Sequence, residues 1–210
     1  MFRLIVALLS AGILCPSLAA TPDDAWNFKV YLDDKPVGEH SFRIAGENGA
    51  RTLQSKAHFA VDVFIFNAYD YRHESNEQWQ GDCLTSIHSS TDDNGEKFSV
   101  NGSGDATGLK ISTAKTQATL PGCVMTFAYW NPRMLEQKRL INPQNGEYVN
   151  VSIETLGQES VNVAGKPQEA WRYRMKTDKF LIDLWYSADR RWLALDSTLE
   201  NGRVLHYRIE

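Results

Sequence analysis

From Trp26 to the end of the chain, apolar and polar residues alternate in short runs separated by turn residues, which is the two-residue period of β-strands. "AWNFKVYL" sets Trp26, Phe28, Val30 and Leu32 on one face; "DDKPVG" turns the chain and "EHSFRIA" returns it as the second arm of a hairpin. After the turn "ENGA", the stretch "RTLQSKAHFAVDVFIFNAYDYRHESNEQWQ" is rich in aromatic and β-branched residues and too long for one strand. It predicts two long strands with a bend near "FNAYDY". Hairpins continue through "CLTSIHSSTDD", "KFSVNGSG" and "LKISTAKTQATL", with turns at "DNGE" and "DATG", and resume in "EYVNVSIETLGQESVNVAGKPQEAWRYRMK". The rhythm breaks over "PGCVMTFAYWNPRMLEQKRLINPQNGE", where "PRMLEQ" predicts a short helix with Pro132 at its first position and Asn131 as cap. The whole pattern predicts an all-β domain: a curled antiparallel meander sheet or barrel of about ten strands, with one short helix or irregular segment near residues 121–137.

The final segment, "FLIDLWYSADRRWLALDSTLENGRVLHYRIE", can be read to the level of register, because apolar pattern and turn type jointly fix it. Ile182, Leu184 and Tyr186 share a face, as do Leu193, Leu195 and Leu199, and Leu205, Tyr207 and Ile209. A two-residue turn at Asn201 and Gly202 would mix the faces. A three-residue loop of Glu200, Asn201 and Gly202, with Gly202 left-handed, instead pairs Leu195 with Tyr207 and Leu193 with Ile209. The same matching puts Leu184 opposite Leu195, with Ala188 to Arg191 as the preceding loop. The other face then carries Asp183 beside Asp196 beside His206, with Trp185 and Arg208 close by.

The first twenty residues, "MFRLIVALLSAGILCPSLAA", depart from this pattern: one Arg, an apolar run from Leu4 to Leu14, then small residues. That is the layout of a secretory signal peptide over residues 1–19, cut after Ala19, and it predicts a periplasmic protein whose residues 20–210 form a single β domain. The run is too short to cross a bilayer, and no second one follows. Cys15 would suit a lipid anchor, but Leu14 before it does not. Removing Arg3 from the 22 basic residues leaves 21 against 26 acidic ones, a balance that argues against nucleic acid or an anionic membrane surface as partner. Export makes a disulfide the natural reading of Cys83 and Cys123. Neither has the neighbouring Cys or His that a metal site would need, which weakens the alternatives of a catalytic thiol or a metal ligand.

Chemistry-bearing candidates are few. Asp183, Asp196 and His206, side by side, have the composition of an acid/base cluster, although cross-strand Asp and His also pair ordinarily on an outward face. "YRHESNEQW" sets His73, Ser75 and Glu77 on one strand face with His58 or His88 within a strand of them; a solvated face is the expectation, and no metal or cofactor is assigned. "NGSGDATG" lacks the alternating acidic ligands of a calcium loop and reads as a hairpin tip, while the "NGS" and "NVS" triplets bear on glycosylation only in a eukaryotic secretory route. "VMTFAYWNPRML" gathers Met125, Phe127, Tyr129, Trp130, Met134 and Leu135 where the strand pattern stops. These six either plug the concave side of the sheet or line a cavity for a greasy ligand.

The segments "VYLDDKPVGEHSFRI" and "LIDLWYSADRRWLALDSTLENGRVLHYRI" resemble the exported bacterial proteins grouped as a domain of unknown function, the family numbered 6134, with a more distant similarity to another periplasmic all-β group. The resemblance spans most of the chain after the leader. It implies a periplasmic location and an all-β fold, and it brings no catalytic residues. Two function classes follow: a non-enzymatic binder of a lipid or other hydrophobic molecule in the concave sheet, or an envelope hydrolase built on Asp183, Asp196 and His206. A scaffold acting through exposed sheet edges is a third.

Overall fold

In the computed structural model, which describes residues 24–47, 49–63 and 66–210, the alternating runs become a single large antiparallel sheet. The leader segment and Cys15 lie outside the described residues. In chain order the first eight strands are β1 (Asp24–Leu32), β2 (Lys35–Glu47), β3 (Ala50–Val63), β4 (Phe66–Gln80), β5 (Cys83–Asp93), β6 (Glu96–Asp105), β7 (Gly108–Thr113) and β8 (Gln117–Pro121). A 3₁₀ turn at Pro132–Glu136 and a small separate hairpin, β9 (Arg139–Ile141) with β10 (Tyr148–Asn150), follow. The last five are β11 (Ser152–Val163), β12 (Lys166–Lys176), β13 (Leu181–Tyr186), β14 (Trp192–Thr198) and β15 (Val204–Ile209).

The large sheet has thirteen strands, more than the ten or so expected, in the order β11-β12-β13-β14-β15-β1-β2-β3-β4-β5-β6-β7-β8. Two meanders are therefore joined where β15 pairs with β1, Leu205 opposite Leu32 and Ile209 opposite Phe28. One extra strand comes from a division that carries no glycine or proline. β7 and β8, read together in sequence as one run, are separated by a turn whose backbone is bonded to Thr113 Oγ1 from Lys115 and Thr116. A sheet this wide curls rather than lying flat. Register shifts at Val30/Tyr31, Val61/Asp62, Gln78/Trp79, Thr155/Gly157 and Trp185/Tyr186 add local bends. The edges, β8 and β11, do not pair with each other, and the chain between them supplies the irregular segment.

The register expected at the carboxyl end is present: Leu184 faces Leu195, Leu195 faces Tyr207, and Asp183, Asp196 and His206 form one row. Leu199 N–H bonds the Arg203 carbonyl, closing the three-residue loop, and Gly202 takes φ 81°. One detail differs. The loop before β14 is a residue shorter than expected, closed by Ser187 N–H on the Arg191 carbonyl, and the register shift between Trp185 and Tyr186 leaves Leu193 unpaired. Leu193 consequently packs outside the sheet with Trp185 and Ala194, not inside with Leu195. The first turn also differs: it is Asp33 and Asp34 alone, and "KPVG" already belongs to β2, with Val37 displaced at a bulge.

Trp26, Phe28, Val30 and Leu32 are all buried on the concave side, as the period predicts. Trp26 and Phe28 join Phe42, Leu53, Trp79, Ile87, Leu109, Leu184 and Leu195 in the main core, while Val30 and Leu32 pack in a second cluster with Val37, Phe59 and Tyr71. The 3₁₀ turn is capped as expected, Asn131 Oδ1 accepting from Arg133 N–H. Among the described residues no helix is long and apolar enough to cross a membrane.

Candidate functional site

The irregular segment is built against the inside of the sheet. Leu84 N–H bonds the Val124 carbonyl, Ile141 N–H bonds Met125 O, and Tyr186 donates its hydroxyl to Tyr129 O at 2.7 Å. Cys83 and Cys123 form a disulfide that ties the start of β5 to the start of this segment. Met125 and Met134 are fully buried, with Leu140 and Ile141 behind them, so this part is a plug that fills one end of the curled sheet. Trp79 and Trp130, edge to face at 5.3 Å between ring centres, mark its inner surface.

Above the plug a cavity of about 570 Å³ remains. Of the six residues singled out in the segment, Phe127, Tyr129 and Trp130 line it; Met125 and Met134 belong to the core beneath, and Leu135 packs against that core without lining it. The walls are otherwise Phe42, Phe59, Tyr71 and Tyr207, with Leu32, Val37 and Leu205 toward the outer end. Phe59 and Tyr71 are stacked at 5.2 Å, and Phe59 meets the edge of Tyr207 at 6.1 Å. The cavity reaches the surface beside Asp93, Gln144, Asn201 and Arg203, which are exposed. Its size and its aromatic wall interspersed with polar side chains are those of a small-molecule pocket.

The polar groups are where the sequence reading fails. His73, Ser75 and Glu77, expected on a solvated face, point inward and are each no more than 3% exposed. Both faces of β4 are polar over this stretch, so alternation gives no contrast. The usable signal is that Tyr71 and Trp79, two residues before His73 and two after Glu77, continue the same face. Glu77 Oε1 accepts from Ser75 Oγ at 3.2 Å, and Oε2 accepts from Trp79 Nε1 at 3.0 Å and from Thr126 Oγ1 at 3.2 Å. Burial pushes its carboxyl up to about 7, against the downward pull of those three bonds. His73 Nδ1 lies 2.9 Å from Thr91 Oγ1, and burial draws its imidazole down to about 4. His40 Nε2 lies 2.8 Å from Ser55 Oγ while its Nδ1 is buried without a partner; desolvation, with the nearby His73, holds it well below the usual histidine range. At neutral pH both imidazoles are uncharged.

Asp183, Asp196 and His206 sit on the opposite, convex face. There the β11–β12 hairpin folds back over the sheet: Ala164 N–H bonds Ile209 O, and Val161 and Ala170 cover Trp185, Leu193 and Ala194. Arg174 bonds Asp183 through Nε at 2.7 Å and Nη2 at 2.8 Å, and Arg172 Nη2 makes a further short bond to it. Burial raises the Asp183 carboxyl, but the two guanidiniums outweigh it and hold it below the usual range. Asp196 lies 2.8 Å from His206 Nδ1 and 2.7 Å from Arg208 Nη1. Both carboxylates are committed to guanidinium partners under a covering hairpin, an arrangement that balances charge at a packed interface. His58 is exposed and paired with Asp70, and His88 with Asn101. Among the described residues no three His, Cys, Asp or Glu side chains come together as metal ligands.

The family described as "Domain of unknown function (DUF6134)" matches residues 28–210, almost the whole β structure. The chain belongs to this family. This DUF6134 domain is also similar in fold to a crystal structure titled "Beta-barrel-like Protein of Domain of Unknown Function DUF1849 from Brucella abortus". The TM-score is 0.66 at 9% identity, over 90% of this chain and 95% of that one. At that identity the likeness is one of fold. No curated protein matches the DUF6134 chain.

Proposed function

We propose that this DUF6134 protein is a non-enzymatic binder of a lipid or other hydrophobic molecule, acting in the periplasm after export. One observation carries the reading: an aromatic-lined cavity of about 570 Å³ that reaches the surface and is closed at its inner end by a well-packed plug. Burial of a single alkyl chain there would favour binding by roughly 0.8 kcal/mol for each methylene removed from water. The apolar leader of residues 1–19 and the Cys83–Cys123 disulfide support an exported, oxidised location. The carboxylates of the convex row are neutralised by arginines, which leaves no free acid/base pair to support the hydrolase alternative.

Protein purified from its own envelope and extracted with organic solvent should release a lipid-soluble molecule by mass spectrometry. Phe127→Asp, which puts a carboxylate on the cavity wall, should carry none while keeping the wild-type circular dichroism. Wild-type protein that releases nothing, and takes up no fluorescent alkyl probe, would overturn the reading.

A further inference from the structure

Glu77 is a carboxyl group at the inner end of an aromatic-walled cavity, and every hydrogen-bond partner it has is neutral. Ser75, Trp79 and Thr126 supply three donors. A carboxylate offers about four acceptor positions, so one remains open on the Oε1 side, where Ser75 is the sole donor. Among the described residues Glu77 forms no ion pair. A buried carboxylate without a countercharge is costly, and a fold that needed only a filled core at this position would be better served by an apolar residue.

The other charged residues of the lining, Asp93 and Arg203, lie at the mouth. Asp93 is a second carboxylate at the mouth, hydrogen-bonded by Tyr69 at 2.7 Å. Arg203 is the one arginine or lysine among the described lining residues; it lies at the exposed mouth, where its Nε donates to Asp33 Oδ2 at 2.9 Å. His40 and His73 are held neutral. A phosphate or carboxylate head reaching the inner end would meet Glu77 and no arginine or lysine among the described lining residues. A cationic head would find a countercharge at Glu77, with Tyr129 and Phe127 among the aromatic residues of the lining.

We infer that the cavity takes an amphipathic amine, its alkyl portion among the aromatic walls and its ammonium group hydrogen-bonded to Glu77. The inference rests on the binding function proposed above and adds the head group. It is tested on the full chain by calorimetric titration with dodecylammonium, dodecanol and dodecanoate, three probes with one chain and different heads, each below its micellar concentration. The ammonium should bind at least tenfold more tightly than the other two, and Glu77→Gln should bring it to the affinity of the alcohol without changing dodecanol binding. Dodecanol or dodecanoate binding as tightly as the amine in wild type would overturn the inference and leave the hydrophobic cavity standing. So would an unaltered amine preference in Glu77→Gln. Binding of none of the three would overturn both readings. Should Glu77→Gln fail to fold, the order of the three probes on wild type decides alone.

Discussion

Two residues facing the same cavity pull the stability of the fold in opposite directions with pH. Glu77 has its carboxyl raised to about 7, so between about 4.5 and 7 the folded state holds a proton that the unfolded state has released, and stability falls as pH rises through that window. His73 is lowered to about 4, so between about 6.5 and 4 the unfolded state takes up a proton that the folded state refuses, and stability falls as pH drops. Where the windows overlap these two slopes oppose each other, and His40, also held below the usual histidine range, adds to that of His73. Replacing Glu77 by Gln removes one slope only. Relative to wild type, Glu77→Gln should gain roughly 3 kcal/mol between pH 5 and pH 8, measured by urea denaturation at both pH values. A difference between the two proteins that stays constant with pH would mean that Glu77 is not buried as a neutral acid. Neither residue could be assigned to the interior from sequence, because polarity is the ordinary mark of an outward position and the aromatic flanks Tyr71 and Trp79 are the weaker signal. Leu193 went the other way for a related reason: a bulge moves a side chain across the sheet without changing the sequence pattern.

At the scale of elements, turn chemistry decided what could be read. The last hairpin was legible to the residue because Gly202 supplies the left-handed position its loop requires and the apolar faces allow one register. The division of β7 from β8 was not, since a threonine hydroxyl makes that turn. The irregular segment could be located by its prolines, but which of its residues would be plug and which wall depends on depth in a curled sheet, a tertiary property. The disulfide holds this element in place. Closing a chain loop of 40 residues disfavours the unfolded state by about 4 kcal/mol. The double replacement Cys83→Ser with Cys123→Ser should therefore lower stability by about that amount, and the same drop should follow from reducing the wild type. Because Leu84 N–H and the main core still hold the segment from Val124 onward, the sheet should survive, with far-ultraviolet circular dichroism unchanged at low temperature. If stability after reduction matches that of the oxidised protein, the bridge adds nothing beyond the contacts around it.

The molecule as a whole is two meanders, β1 to β8 and β11 to β15, that meet at one seam and are linked on the other side by the plug. The seam is β15: its apolar face sits between β14 and β1, with Tyr207 opposite Leu195 on one side and Val30 on the other. Tyr207 also contacts Phe28, His40 and Phe59, so one side chain reaches across from the seam into both meanders. Among the described residues no other strand pairing joins the halves, since the edges β8 and β11 remain apart. A chain ended after Gly202 loses residues 203–210, the six of β15 with Arg203 and Glu210 at its ends. It should nonetheless lose cooperative folding altogether, because β1 and β14 would each become an unpaired apolar edge and the cavity wall would open between them. Thermal unfolding followed by circular dichroism should show no sharp transition, and the product should aggregate. A truncated chain that still melts in one step would mean that the plug, rather than the seam, holds the two meanders together. The cavity would then owe its shape to the interior packing of residues 124–141 and not to the continuity of the sheet.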